Sequence, residues 1–115
     1  MMRSSLLLFA GLVLVLMAAG DADAKEPLWN YTTGNEVMSV AISDDGEYIA
    51  AGSEDEIYLF KNGGETPLWS YSTTGDVHLT ISADGEYIAA VASNEGSASN
   101  ESRVYLFDKD NSTPL

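Results

Sequence analysis

The sequence predicts an all-β chain of two four-stranded antiparallel units stacked as repeats, and three observations carry that prediction. The first is a segment of about forty residues written twice. Pro27-Leu28-Trp29-Asn30-Tyr31-Thr32-Thr33 returns as Pro67-Leu68-Trp69-Ser70-Tyr71-Ser72-Thr73. Ser43-Asp44-Asp45-Gly46-Glu47-Tyr48-Ile49-Ala50-Ala51 returns as Ser82-Ala83-Asp84-Gly85-Glu86-Tyr87-Ile88-Ala89-Ala90, and Ile57-Tyr58-Leu59-Phe60 returns as Val104-Tyr105-Leu106-Phe107. The second is that every apolar run after residue 25 is short, rich in β-branched and aromatic residues, and bounded by turn residues. The third is the lack of any helical period, with glycine recurring too often for a helix to run. A repeat of this length is one supersecondary unit that buries its faces only against neighbours.

Residues 1–24 stand apart from the repeats and are expected to be a cleaved export signal. Arg3 provides the positive start, Leu6 to Ala19 is an apolar run of 14 residues, and Ala22-Asp23-Ala24 is a small-residue cleavage site before Lys25. A membrane span needs about 20 apolar residues, so this run is short for one. An uncleaved N-terminal anchor is the alternative. No cysteine stands at the cleavage point, which excludes a lipid anchor there. The expected location is therefore outside the cell or on its surface.

Four strands per repeat are expected, in the order Leu28–Thr32, Val37–Ile42, Glu47–Gly52 and Ile57–Phe60. Trp29 and Tyr31 alternate onto one face of the first. Val37–Ile42 is apolar at nearly every residue, the pattern of a strand covered on both sides. Asp45-Gly46 and Asp84-Gly85 lie between apolar runs, the strongest short-range hairpin signal. Ala50, Ala51 and Gly52, like Ala89 and Ala90, are small enough to let a neighbouring sheet approach. Asn62-Gly63-Gly64 breaks the chain before the second Pro-Leu-Trp. The units run over about 27–66 and 67–113, and a third copy opens at Pro114-Leu115. The spacing from Tyr48 to Tyr87 is 39 residues but that from Tyr58 to Tyr105 is 47, so the second repeat carries an insert, Asn94 to Ser102.

Charge narrows the partners. Without residues 1–24 the chain keeps 16 acidic and 4 basic residues, a net charge of −12. That field repels nucleic acid and anionic lipid, so neither is expected to bind, and no membrane contact is expected once the signal is removed. There is no cysteine, hence no disulfide framework, and stability must come from packing.

The motif from Val37 to Asp55, Val-Met-Ser-Val-Ala-Ile-Ser-Asp-Asp-Gly-Glu-Tyr-Ile-Ala-Ala-Gly-Ser-Glu-Asp, followed by Ile57-Tyr58-Leu59-Phe60, resembles the WD-repeat and related β-propeller families. The Pro-Leu-Trp-x-Tyr-x-Thr segment is similar to repeats of pyrroloquinoline-quinone-type propellers. The resemblance covers nearly all of residues 27–113 and implies propeller blades. Phe60-Lys61 and Phe107-Asp108 stand where a Trp-Asp pair is expected, so the buried network of true WD repeats does not carry over. No quinone- or metal-binding set can be matched. Propellers close with about 4–8 blades, so a two-repeat chain is an incomplete propeller. It needs further blades, either in cis, with this sequence as the opening fragment of a longer chain, or by oligomerisation.

Candidate sites are sparse. His78 is the only histidine, on the inner strand of the second repeat at the position of Ser39; with no second histidine and no cysteine it has little metal or nucleophilic chemistry to join. Asp108-x-Asp110-x-Ser112 has the spacing of a calcium loop but lacks its glycine and distal glutamate, and reads as a polar turn. Glu54-Asp55-Glu56 reads as a solvated hairpin. Asn30, Asn100 and Asn111 head sequons and are candidate glycan acceptors. Trp29 and Trp69 repeat at one framework position, which favours packing over ligand stacking. Catalytic serine, paired-carboxylate and phosphate-cradling patterns are absent from the sequence, so no enzyme, cofactor or metal is expected. The insert alone breaks the repeat, and Asn94, Glu95, Ser97, Asn100 and Glu101 are its candidate contact residues. The expected function is a secreted or surface binding scaffold for a protein or small ligand. The alternative is the N-terminal part of a quinoprotein-like propeller enzyme with active residues beyond residue 115.

Overall fold

The computed structural model describes residues 26–94, 98 and 100–115; the expected signal segment, residues 1–24, lies outside them, as do Glu95 and Ser97. Among the described residues the chain is all-β, with seven strands and no helix. These are β1 Val37–Ile42, β2 Tyr48–Ser53, β3 Glu56–Lys61, β4 Trp69–Ser72, β5 Asp76–Ile81, β6 Tyr87–Ser93 and β7 Ser102–Asp108. They form two antiparallel sheets, a four-stranded one in the order β1-β2-β3-β4 and a three-stranded one in the order β5-β6-β7.

The strands are shared differently from the sequence expectation of two four-stranded units. Leu28–Thr32 forms no strand. Its second copy does, but as the last strand of the first sheet: β4 pairs with β3, Glu56 opposite Ser72 and Leu59 opposite Trp69. The Gly63-Gly64 turn returns the chain directly beside β3, and closing so short a loop costs little entropy. The second Pro-Leu-Trp segment thus follows the strand it pairs with instead of opening a new sheet. Leu115 N–H donates to Leu106 O at 2.7 Å, as Leu68 N–H donates to Leu59 O at 2.6 Å, so the third Pro-Leu enters the same lane beside β7.

The Ser-x-Asp-Gly turns are built alike in both repeats. Ser43 Oγ donates to Asp45 Oδ1 at 2.7 Å and accepts from Tyr48 N–H at 3.1 Å, while Glu47 N–H donates to Asp45 Oδ1 at 3.0 Å. Ser82, Asp84, Glu86 and Tyr87 reproduce those bonds at 2.7, 3.0 and 3.0 Å. The Glu47 amide, then the Ser43 hydroxyl, hold the Asp45 carboxyl below its ordinary pKa; the Glu86 amide and Ser82 hydroxyl do the same for Asp84. Gly46 and Gly85 take φ of 75° and 76°, the left-handed region a side chain resists. Gly85 has a second reason to be glycine. A Cβ there would stand 2.7 Å from the ring of Tyr48, which crosses from the first sheet onto the second turn, whereas a Cβ on Gly46 would meet open space.

The core lies between the sheets. Ala50, Ile57 and Leu59 of the first face Val77, Ile88 and Phe107 of the second, all buried, with Trp69 and Tyr71 packed around them. The small residues of β2 permit that approach: a Cβ on Gly52 would come within 2.6 Å of Val77 Cγ1. Ser39 of β1 bridges the inner strands, accepting from Leu79 N–H at 3.0 Å and donating to Val77 O at 3.4 Å. The expectation that β1 is covered on both sides fails, because Val37, Val40 and Ile42 are exposed. Only one side of the strand has a sheet against it, and the apolar residues of the other face solvent.

The far side of the first sheet is covered at its outer part by the segment before β1. Trp29 and Ile49 pack on Ala51, Tyr58 and Phe60. Tyr58 OH donates to Glu56 Oε1 at 3.2 Å. Burial pushes the Tyr58 phenol up to about 12, and the Glu56 charge and hydrogen bond add to the shift. The folded state therefore keeps this proton longer than the unfolded chain does. Its contribution to stability is complete below pH ~10, the ordinary tyrosine value, and is lost as pH rises toward 12. Glu56→Gln is expected to lower the Tyr58 pKa, read as tyrosinate absorbance in a difference titration against Tyr58→Phe. An unmoved midpoint would show that Glu56 does not contribute.

Candidate binding cleft

The cleft is made where the β6–β7 connection meets the turn between β4 and β5. Hydrogen bonds hold the base of the connection: Asn94 N–H donates to Glu101 O at 3.1 Å, and the Ser93 and Ser102 hydroxyls meet at 3.1 Å. Asn100 takes a φ of 51°, which Asn tolerates better than most residues. Across from it, Ser72-Thr73-Thr74 crosses from one sheet to the other, pinned where Thr73 N–H donates to Asp55 O at 2.7 Å. Asp55 in turn accepts from Asn35 Nδ2 at 2.8 Å. The resulting cleft has a volume of about 450 Å³.

Its chemistry is mixed. Thr73, Asn94, Glu101 and Arg103 supply polar groups, while Ala92 and Tyr105 form an apolar floor. Arg103 lies 3.8 Å from Glu101, and both side chains are mostly exposed, so the pair adds little to stability and leaves the guanidinium open to another acceptor. Thr73 Oγ1 is buried and has no hydrogen-bond partner among the described residues. An orphan of this kind is rare in folded proteins and is ordinarily satisfied by water or a ligand.

Among the insert residues singled out from the sequence, Asn94 and Glu101 line the cleft and Asn100 is exposed near its edge. Arg103 and the Ser72–Thr74 wall were not legible as site residues. Arg103 sits one residue past the insert, and Ser72–Thr74 belongs to the repeated framework, so neither broke a pattern. Asn30 and Asn111 are exposed as well and do not line the cleft; Asn111 Oδ1 accepts from Thr113 N–H at 2.9 Å.

The remaining candidates have structural explanations. His78 is exposed on β5 opposite Val91. Asp108 Oδ1 accepts from Asp110 N–H at 2.9 Å, and Lys109 Nζ reaches Asp110 Oδ1 at 3.0 Å, so this segment is a hydrogen-bonded turn. In the Glu54-Asp55-Glu56 hairpin, Ser53 Oγ accepts from Glu56 N–H at 3.1 Å. Trp29 packs on Phe60 and Trp69 on Phe107, with centroids 5.3 and 5.2 Å apart. Trp69 Nε1 donates to Lys109 O at 2.8 Å, which accounts for its polar atom. Among the described residues no three His, Asp or Glu side chains gather as a metal site. No family model matches the chain, and no curated protein matches it.

Proposed function

We propose that the chain is a secreted or surface-displayed, propeller-type repeat module that acts as a non-enzymatic binding scaffold, taking a polar ligand or a segment of a partner protein in the cleft beside the β6–β7 connection. One observation carries this reading: Asn94 and Glu101, at the two ends of the segment that alone departs from the repeat, line the cleft. A connection kept only to join two strands does not need the eight residues between Ser93 and Ser102, since β2 and β3 are joined through Glu54-Asp55 alone. The buried Thr73 hydroxyl, the accessible Arg103 and the Tyr105 ring supply an unmet hydrogen bond, a charge and an apolar surface within one cavity. Binding sites combine a few convergent polar groups with apolar walls in this way.

Amide chemical-shift mapping against panels of short peptides and of oligosaccharides tests the proposal. Shifts are expected to cluster at Thr73, Asn94, Glu101 and Arg103. Replacing residues 94–102 with the short Ser53–Glu56 connection is expected to remove them while leaving the unfolding midpoint nearly unchanged. Shifts scattered over both sheets, or a shortened loop that still binds, would overturn the assignment.

A further inference from the structure

We infer that the ligand of the cleft carries a carboxylate, received by the Arg103 guanidinium and the Thr73 hydroxyl. This rests on the binding role proposed above and adds the chemistry that the ligand must bring. The first repeat fills the same place with its own groups, and the comparison shows which of them the second repeat lacks.

In the first repeat three hydrogen bonds close that place. Thr33 Oγ1 donates to Asn35 O at 2.6 Å, Asn35 Nδ2 donates to Asp55 Oδ1 at 2.8 Å, and Tyr58 OH donates to Glu56 Oε1 at 3.2 Å. The turn is thereby tied to the hairpin, and each of these donors has an acceptor from the chain itself. The repeat sets Thr73 in the place of Thr33, Gly75 in that of Asn35, Ser102 in that of Asp55, Arg103 in that of Glu56 and Tyr105 in that of Tyr58. Gly75 has no side chain to reach across and, with a φ of 91°, carries the backbone on a different course. Thr73 Oγ1 is left buried without a partner among the described residues. Arginine has only donors, so Arg103 cannot accept from Tyr105 as Glu56 accepts from Tyr58.

The exchange also reverses the charge. Asp55 and Glu56 are both acidic, whereas Ser102 is neutral and Arg103 is the only arginine after residue 24. Its pair with Glu101 is long, at 3.8 Å, and mostly exposed, so a ligand does not have to break a strong bond to reach the guanidinium. A cleft that has lost acceptors and gained donors fits a ligand group made of acceptors. A carboxylate only accepts, and its two oxygens match the guanidinium fork while leaving lone pairs for the Thr73 hydroxyl. The acidic surface as a whole opposes highly charged anions, so one carboxylate suits this site better than a phosphate with its charge of about −2. Ala92 and Tyr105 offer apolar surface to the rest of the ligand.

Amide chemical-shift titrations of the full chain at neutral pH test this with two matched pairs, N-acetylglycine against N-acetylglycinamide and methyl glucuronoside against methyl glucoside. Each acid is expected to shift the Thr73, Arg103 and Tyr105 amides and to bind about tenfold or more tightly than its neutral partner, the yield of a charge-assisted hydrogen bond. The tighter acid tells whether the carboxylate comes from a peptide end or from a sugar. Arg103→Gln is expected to lose the preference, and Arg103→Lys, which keeps the charge without the fork, to regain only part of it. Thr73→Val is expected to weaken the acids and to raise the urea unfolding midpoint, because a methyl of the same shape replaces an unsatisfied hydroxyl. Thr33→Val is expected to lower the midpoint, since Thr33 has a partner to lose. A Thr73→Val variant less stable than the wild type would show a hydroxyl already satisfied, and would overturn the inference. So would neutral partners or inorganic phosphate that bind at the same amides as tightly as the acids; the cleft would then be a site for another ligand. If these probes leave the cleft amides unmoved while the peptide or oligosaccharide panel shifts them, the carboxylate inference alone falls. If nothing shifts them, the binding role falls with it.

Discussion

Gly75→Ala is expected to destabilise the protein by about 3–5 kcal/mol, the range of severe backbone lesions. Gly75 has a φ of 91°, where any side chain is strained. An added Cβ would also overlap the Ser93 carbonyl oxygen and stand 2.6 Å from its carbon and 2.8 Å from Asn94 Cα. These are backbone atoms at the end of β6, paired across to Asp76, so no rotamer change relieves the overlap. Gly34 sits in the corresponding turn of the first repeat with nothing within 4 Å of an added Cβ, and Gly34→Ala should be close to neutral. Urea unfolding midpoints of the two variants make the comparison. A cost below about 1 kcal/mol for Gly75→Ala would mean that the turn relaxes and that the approach of the β4–β5 turn to β6 is not rigid.

Phe107→Ala is expected to cost about 3–5 kcal/mol, the range for removing a fully buried aromatic ring. Phe107 is wholly buried and lies under Trp69 and Tyr71, which belong to a paired strand, with Tyr105 stacked 6.0 Å away. The walls of the void are therefore held by a sheet and cannot close. Phe60 has the same ring neighbours in the first repeat, Trp29, Tyr31 and Tyr58, but Trp29 and Tyr31 lie in no strand. Phe60→Ala is expected to cost less, because a segment without strand partners can settle into the gap. Equal losses for the two substitutions in equilibrium unfolding would show that residues 29–31 are held as firmly as β4.

The two phenylalanines mark where sequence reading succeeded and where it stopped. The repeat placed Phe60 and Phe107 as equivalent, and it placed the tryptophan and tyrosine rings that cover them. It did not reveal that Phe107 is covered by a strand of the other sheet while Phe60 is covered by a segment that lies in no strand. A Pro-Leu-Trp strand pairs with whichever edge lies open beside it, and a linear repeat reads the same whether the strand precedes or follows its sheet. The cleft was half legible. Asn94 and Glu101 stood out because the insert interrupts the repeat, while Arg103 and Thr73 became site residues only when two distant turns met.

What the sequence by itself determined is local. Short apolar runs between turn residues set an all-β chain with no helix among the described residues, and Ser-x-Asp-Gly set two turns that share the same hydroxyl and carboxylate hydrogen bonds. Those outcomes depend on φ preferences and on side chains reaching the backbone two to five residues away, and both are encoded where they act. What only the tertiary structure decided is relational. The fourth strand of the first sheet, the overlap that forbids a side chain at Gly75, and the exposure of Val40, Ile42, Val104 and Leu106 all depend on which surfaces meet. An apolar residue is written identically whether its face is covered or open, so burial is a property of the neighbour as much as of the residue.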